Sequence, residues 1–253
     1  MNYVVAIPSY NRAQNITDKV LVALKNGGVS SKKVYIFVAN EEQALLYEAA
    51  APKNMYHKIV VGELGIANQR NFISDYFPEN QYVVSLDDDI SSLQTIKGGK
   101  YVHIKDLDAF FKNAYKIMKK EKLFIWGVYP VKSLMYMYDT ISTDLKFLPG
   151  FTFGYINRHL KSLELSVKAE GKEDIEQSIL YYLEDGGVIR FNYVTPNQTH
   201  PRVGGLGKDR IEMNEKASAY MTKKYPEFVT KYYRKNGLAE LRLARHPRVD
   251  YRA

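Results

Sequence analysis

Three aspartates, Asp87, Asp88 and Asp89, follow directly on the apolar run YVVSL within QYVVSLDDDISSL (81–93). Side by side they repel one another, so the segment needs a compensating positive charge. Alternate residues of an extended chain point the same way, which pairs Asp87 with Asp89 and turns Asp88 aside. Two hard oxygen donors suit a divalent cation whose other positions are filled by phosphate oxygens and water. A cation held in this way neutralises a departing diphosphate, which is Lewis-acid catalysis of group transfer. The alternative is an acidic loop that caps a helix, because Asp and Ser both favour the N-cap position.

The flanking elements must bring other groups to this triplet. YVVAI (3–7) reads as a buried strand running into a loop at Pro8, Ser9 and Asn11. Residues 17–26 have helical spacing and stop at Gly27-Gly28. VYIFVAN (34–40) is a second strand, followed by the helix-forming EEQALLYEAA. KIVVG (58–62) is a third strand, GIANQRNFISDYF (65–77) an amphipathic helix, and QYVVSL (81–86) a fourth strand. Strands that alternate with helices predict an α/β fold, a mostly parallel sheet with helices on both faces. In such sheets ligands sit beyond the carboxyl ends of the strands. The SYNR loop (9–12) after the first strand and the aspartates after the fourth are therefore expected to face one crevice.

Past residue 100 the pattern loosens. KDLDAFFKNAYKIMKKEK (105–122) is a clear helix and LFIWGVYPV (123–131) a strand. Residues 132–158 are rich in Tyr, Phe, Gly and Met without helical period, as in irregular strands or a hairpin. EDIEQSILYYLED (173–185) is a helix that ends at Gly186-Gly187, VIRFNYV (188–194) a strand, and the chain from 208 reads as helical and basic. No internal repeat or low-complexity linker interrupts it. One domain is expected over 1–207, with halves 1–95 and 96–207, followed by a basic helical extension over 208–253.

Composition narrows the classes. The 253 residues are 45% hydrophobic, enough for a sizeable core, and include no cysteine, so no disulfide or thiolate zinc site can form. MNYVVAIPSYNR lacks the basic and apolar pattern of a signal peptide, and no apolar run is long enough to span a bilayer. A soluble, cytoplasmic protein is expected. The net charge of +8 is uneven: from residue 200 onward there are 13 Lys/Arg against 6 Asp/Glu. A basic end on a near-neutral body suits an anionic partner such as nucleic acid, or is simply a solvated face.

Taken with the triplet, AIPSYNRAQN (6–15), VYIFVANEEQ (34–43) and GIANQRNFI (65–73) resemble glycosyltransferases of the GT-A fold, which carry an Asp-x-Asp motif and use a nucleotide-diphosphate sugar. More narrowly, IPSYNR, IFVANEE, IVVG, QRNFI and SLDDDI are similar to the TET-associated glycosyltransferases of bacteriophages, taken to glycosylate hydroxymethylated bases in DNA. The resemblance implies the following roles. Pro8, Tyr10 and Arg12 would contact the nucleotide, with Asn40 near the base. Gln69 and Arg70, with Asp87 and Asp88, would complete the donor site. Asp87 and Asp89 would bind Mn²⁺ or Mg²⁺, joined by His200. Asp174, with Glu173 in reserve, would be the base of an inverting transfer. A UDP-sugar would be the donor and 5-hydroxymethylcytosine the acceptor. Lys223, Lys224, Lys231, Arg234, Lys235, Arg242, Arg245 and Arg248 would contact DNA phosphates.

Other readings stay open beside these. Arg12 suits a phosphate or a surface ion pair. Glu173 and Asp174 also suit an acidic first helical turn. Asn71 reads as helix surface. Phe151, Phe153 and Tyr155 share one strand face, where they could stack on a sugar or base, though core packing is the simpler role. A glycan, lipid or protein acceptor would use the same donor site. A nucleotidyltransferase would want a glycine-rich phosphate loop where SYNRAQN has none. A non-catalytic DNA-binding module has no use for the aspartates, and a metal-dependent hydrolase would want more histidines.

Overall fold

Tyr3–Pro8 (β1), Val34–Val38 (β2), Lys58–Val61 (β3) and Tyr82–Leu86 (β4) are short β-branched and aromatic runs that pair side by side in parallel. The computed structural model describes residues 2–198 and 209–251. The order in the main sheet is β3-β2-β1-β4-β9-β7-β10-β8. Here Ile125–Val128 is β7, Ile141–Ser142 β8, Thr152–Ile156 β9 and Ile189–Phe191 β10. β9 runs antiparallel between β4 and β7, while β10 returns parallel to β7. The mostly parallel α/β sheet expected from the sequence is thus present, with an antiparallel strand inserted at β9.

Alternation along each strand sends side chains to two different cores. Val5, Ile7, Val84, Leu86 and Trp126 pack on one face, beneath Ala13–Ile16 (α1), Val22–Asn26 (α2), Glu41–Ala50 (α3) and Leu107–Glu121 (α5). A π-helical turn, Thr17–Leu21, joins α1 to α2. Ala6, Phe37, Val83, Phe153 and Tyr155 pack on the other face, against Ile66–Tyr76 (α4) and Glu173–Asp185 (α6). Phe153 and Tyr155 are therefore core residues, as their alternation allowed. Gly154 between them must be glycine, because a Cβ there would lie 2.5 Å from the Trp126 ring.

A second sheet starts immediately after the aspartates. Ile90–Lys97 (β5) turns at Gly98-Gly99 into Lys100–His103 (β6), and Val194–Gln198 (β11) pairs on its other edge. The single strand expected over 188–194 is two. Asn192, fully buried, accepts from Arg190 Nε and donates to Thr140 and Ser142, and the chain leaves the main sheet there for the smaller one.

The C-terminal extension is helical only as far as Lys224. After Asp209–Lys224 (α7), Val229–Tyr233 (β12) and Ala239–Leu243 (β13) form an antiparallel hairpin. VTKYY is β-branched and aromatic, and Asn236-Gly237 provides the turn, with Gly237 at φ +79°. Met221, Tyr225, Val229 and Leu241 join Ala67, Ile175 and Ile179 in one buried cluster, so this end of the chain packs against α4 and α6. Among the described residues no helix is long and apolar enough to cross a membrane.

Candidate active site

The carboxyl ends of β1 and β4, the entry to β9 and the first turn of α6 converge on one place. Asp88 faces β1. Ser9 Oγ donates to its Oδ2 at 2.5 Å and Arg12 Nη1 to its Oδ1 at 3.0 Å. With the Ser9 proton committed to the carboxylate, Tyr47 must donate to Ser9 (2.5 Å), and Tyr47 in turn accepts the Arg12 amide (3.0 Å). Asn11, at φ 55°, exchanges two hydrogen bonds with the Gln43 side chain, and Asn40 caps α3 by accepting the Gln43 amide. The SYNR loop is thereby clamped to α3 on one side and to the middle aspartate on the other. Burial raises the Asp88 carboxyl above the usual range, while Ser9 and Arg12 pull it back.

Asp87 and Asp88 answer to different partners, although not by the extended alternation expected from the sequence: β4 ends at Leu86, and Asp88 and Asp89 form the turn into β5. The Asp87 amide donates to Phe151 O (2.9 Å), which ties it to the entry of β9. Its carboxyl is pushed up to about 7, first by burial; Arg70 opposes the shift, and Asp88 and Asp89 add to it. Asp89 is buried as well. Among the described residues no group of three or more His, Asp or Glu side chains converges as a finished metal site. Asp87 and Asp89 nevertheless fit a hard divalent cation: burial first, and the neighbouring carboxylates after it, favour the Asp87 proton, and a bound cation would displace it. His200 lies outside the described residues.

Arg70 organises the opposite wall. It is buried on α4, donating from Nη1 to Glu173 Oε1 (3.0 Å) and from Nη2 to Gly150 O (3.1 Å). A Cβ on Gly150 would stand 2.2 Å from Nη2, so only glycine admits this contact. The Gly150 amide donates to Asp174 Oδ2 (3.2 Å), and the Ile175 amide to Asp174 Oδ1 (2.9 Å). The other Glu173 oxygen accepts from the Gly171 amide at 2.9 Å. Burial lifts both carboxyls, Arg70 opposes the lift, and Asp174 further raises Glu173. Both carboxylates thus have both oxygens engaged; Glu173 is buried, whereas Asp174 is partly exposed.

The remaining residues singled out in the sequence fall in varied places. Pro8 ends β1 in the core, and Tyr10 stands half exposed at the loop tip. Gln69 is buried, and its Oε1 accepts the Glu63 amide (2.8 Å), holding the turn after β3. Asn71 is not idle helix surface. Its amide makes a two-way bond with the Leu165 backbone, 2.9 Å each way. The basic residues of the extension divide into two sets. Lys224 pairs with buried Glu176 (3.1 Å), Lys231 with Glu215 (2.6 Å), Arg234 with Glu240 (3.0 Å) and Arg248 with Glu121 (2.8 Å). Lys223, Lys235, Arg242 and Arg245 are exposed, with no ion-pair partner among the described residues.

Sequence reasoning missed Tyr47, Gly150 and Glu170. The Glu170 carboxylate accepts the Ile66 and Ala67 amides (2.8 and 3.1 Å), capping α4 from the loop before α6. A glutamate that caps a helix 100 residues away leaves no local signal. Gly150 falls in the stretch 132–158, which reads only as irregular strands or a hairpin.

Comparisons with known proteins give a family and a fold. The model of the family described as TET-Associated Glycosyltransferase matches residues 3–200. No curated protein matches the sequence. Solved structures give the fold, that of GT-A glycosyltransferases. They include a mannosyltransferase, PcManGT, from Pyrobaculum calidifontis in complex with GDP-Man and Mn²⁺. Its TM-score is 0.57 at 14% identity, over 88% of this chain and 64% of that one. The glucosyl-3-phosphoglycerate synthase of Mycobacterium tuberculosis, in complex with Mn²⁺, UDP and phosphoglyceric acid, gives 0.51 at 10% identity, over 98% and 89%. S. aureus TarS gives 0.52 at 14% identity; this chain spans 40% of its length.

Proposed function

The chain belongs to the TET-associated glycosyltransferase family, and from that premise we propose that it transfers a sugar from a nucleotide-diphosphate donor to a hydroxymethylated pyrimidine in DNA. UDP is the default nucleotide and 5-hydroxymethylcytosine the default base. The observation that carries the reading is the convergence of the clamped SYNR loop and the aspartates with Asp174, across the mouth held by Gly150.

The donor's nucleotide would lie along the loop clamped through Ser9, Asn11 and Arg12, with Asn40 near the base. Mn²⁺ or Mg²⁺ would be held by Asp87 and Asp89, with His200 a candidate third protein ligand, and would supply Lewis-acid charge at the diphosphate. The presence of Mn²⁺ with GDP-Man or UDP in the two similar structures supports this choice. Asp88, already bonded to Ser9 and Arg12, serves the loop rather than the cation.

Asp174 takes the proton of the acceptor hydroxyl as that oxygen attacks the anomeric carbon. The carbon–oxygen bond to the diphosphate breaks, the nucleoside diphosphate leaves, and configuration inverts. Asp174 suits the task because it is partly exposed, where Glu173 is buried, and burial raises its proton affinity. Glu173 is tied to Arg70 and positions it. The exposed cations Lys223, Lys235, Arg242 and Arg245 are the extension's remaining candidates for DNA phosphates.

The test is incubation with hydroxymethylated duplex DNA, Mn²⁺ and a panel of nucleotide sugars, followed by mass analysis of the nucleosides. A hexose added to the modified base is expected. Absence of any added sugar with every donor, alongside transfer to a glycan, lipid or protein, would refute the DNA acceptor.

A further inference from the structure

The loop after β7 presents apolar side chains to water in an unusual concentration. Leu134 is 44% exposed, Met135 81% and Tyr136 59%, while Met137 behind them is 5% exposed and anchors the turn. The turn is closed by Tyr136 and Met137 amides donating to Ser133 O. Its stem is pinned to the main body. The Tyr129 amide donates to Val194 O (2.8 Å) and the Tyr138 amide to Asn192 O (3.3 Å). A held stem with an apolar tip is suited to insertion into something that already has apolar faces.

The loop stands beside the aspartates. Lys132 Nζ donates to Asn197 Oδ1 (2.9 Å); Asn197 donates to Ser91 Oγ (3.1 Å), and Ser91 returns a bond to Asn197 O (2.7 Å). Ser91 lies two residues past Asp89. Lys132 also sits over the Tyr101 ring at 5.0 Å, which joins the loop to the β5–β6 hairpin. At the tip of that hairpin Lys97 and Lys100 are paired directly opposite one another. Like charges so placed repel, and neither meets a carboxylate among the described residues. An anionic partner would relieve that repulsion.

We propose that this surface is where duplex DNA docks, with Lys97 and Lys100 on the phosphates and Met135 and Tyr136 wedged between base pairs beside the target. The inference rests on the DNA-acceptor reading above and deepens it. A base stacked in a duplex keeps its 5-substituent in the major groove, and extruding it to reach Asp174 leaves a gap. Apolar and aromatic wedges fill such gaps in other DNA-distorting proteins. Stacking bases and closely spaced phosphates together match the tip and the lysine pair. An uncharged lipid surface would match the tip alone, and an anionic one offers no stacked bases for Tyr136 to enter.

The test uses the full chain and a duplex carrying one 5-hydroxymethylcytosine beside 2-aminopurine, whose fluorescence rises on unstacking. Binding by the parent protein is expected to raise that fluorescence. Met135→Ala with Tyr136→Ala should abolish the rise while leaving thermal melting unchanged, because both side chains are exposed. Lys97→Gln with Lys100→Gln should lower the slope of log affinity against log salt by about two. No fluorescence change with the parent, or an unaltered rise and slope in the variants, overturns the proposal. A parent that unstacks the duplex through these residues but adds no sugar to it upholds the docking surface and rejects the transfer reading.

Discussion

Arg70 and Glu173 form an ion pair at 3.0 Å with both side chains almost wholly enclosed. Burying two charges is costly, and the pair persists because Gly150 O and the Gly171 amide satisfy further atoms of each. Removing one partner strands the other. Arg70→Ala should therefore cost about 3–5 kcal/mol of stability, read as the midpoint of urea unfolding. Glu173→Gln keeps a hydrogen-bond acceptor and should cost clearly less. Equal losses in the two variants would contradict the assignment of Arg70 as the organising charge.

Asp174 and Glu173 are neighbours in sequence and differ in access. Asp174→Asn should lower kcat about a hundred- to ten-thousand-fold with donor KM little changed. A base works only when ionised, and burial raises the Asp174 carboxyl above the ordinary range. The acid limb of the kcat–pH profile is therefore expected above the usual carboxylate pKa, with activity rising as pH increases through it. Steady-state kinetics across pH checks both points, and an acid limb at the ordinary carboxylate value would argue against Asp174.

The clamp on the nucleotide loop is a separate matter. Arg12→Ala removes the charge-assisted bond to Asp88 and should raise donor KM about tenfold, corresponding to a loss of roughly 1.5 kcal/mol. Ser9→Ala leaves a buried carboxylate oxygen without its donor, a loss of about 1–3 kcal/mol in fold stability. Isothermal titration with UDP and thermal melting distinguish the two effects.

Asp108 provides a pH test remote from the chemistry. Burial alone would raise its carboxyl, yet hydrogen bonds from Lys112, Lys33 and the Tyr3 hydroxyl outweigh that and hold it well below its ordinary value. A depressed folded value gives stability that is present above the unfolded pKa, about 3.9, and is lost as pH falls below it. The stability gap between the parent and Asp108→Asn should be widest near neutrality and close progressively below about pH 4. Urea unfolding at several pH values measures it.

Much of this was legible in the chain, for identifiable reasons. Short apolar strands alternating with amphipathic helices leave two periodicities, and those fixed the order of elements up to Leu86. The aspartates at a strand end located the crevice, since the end of a parallel strand points there. What stayed hidden depended on distant partners. That Asp88 would serve Ser9 and Arg12, or that Gln69 would accept the Glu63 amide, is decided by packing between elements. The hairpin at 229–243 does carry a local signal, Asn236-Gly237 between β-branched and aromatic residues, but the many basic residues around it mask the alternation. Of the basic residues, Lys224 is spent on buried Glu176, which net charge cannot reveal.

The backbone of Gly150 has a mechanical meaning. Its amide holds the proposed base, its carbonyl holds the arginine that governs the neighbouring acid, and two residues later β9 begins. The strand cannot slide toward or away from the crevice without loosening both grips together. Alignment of the proton acceptor and neutralisation of the enclosed charge are thus geared to one another, and a residue lacking any side chain is the cog through which they turn.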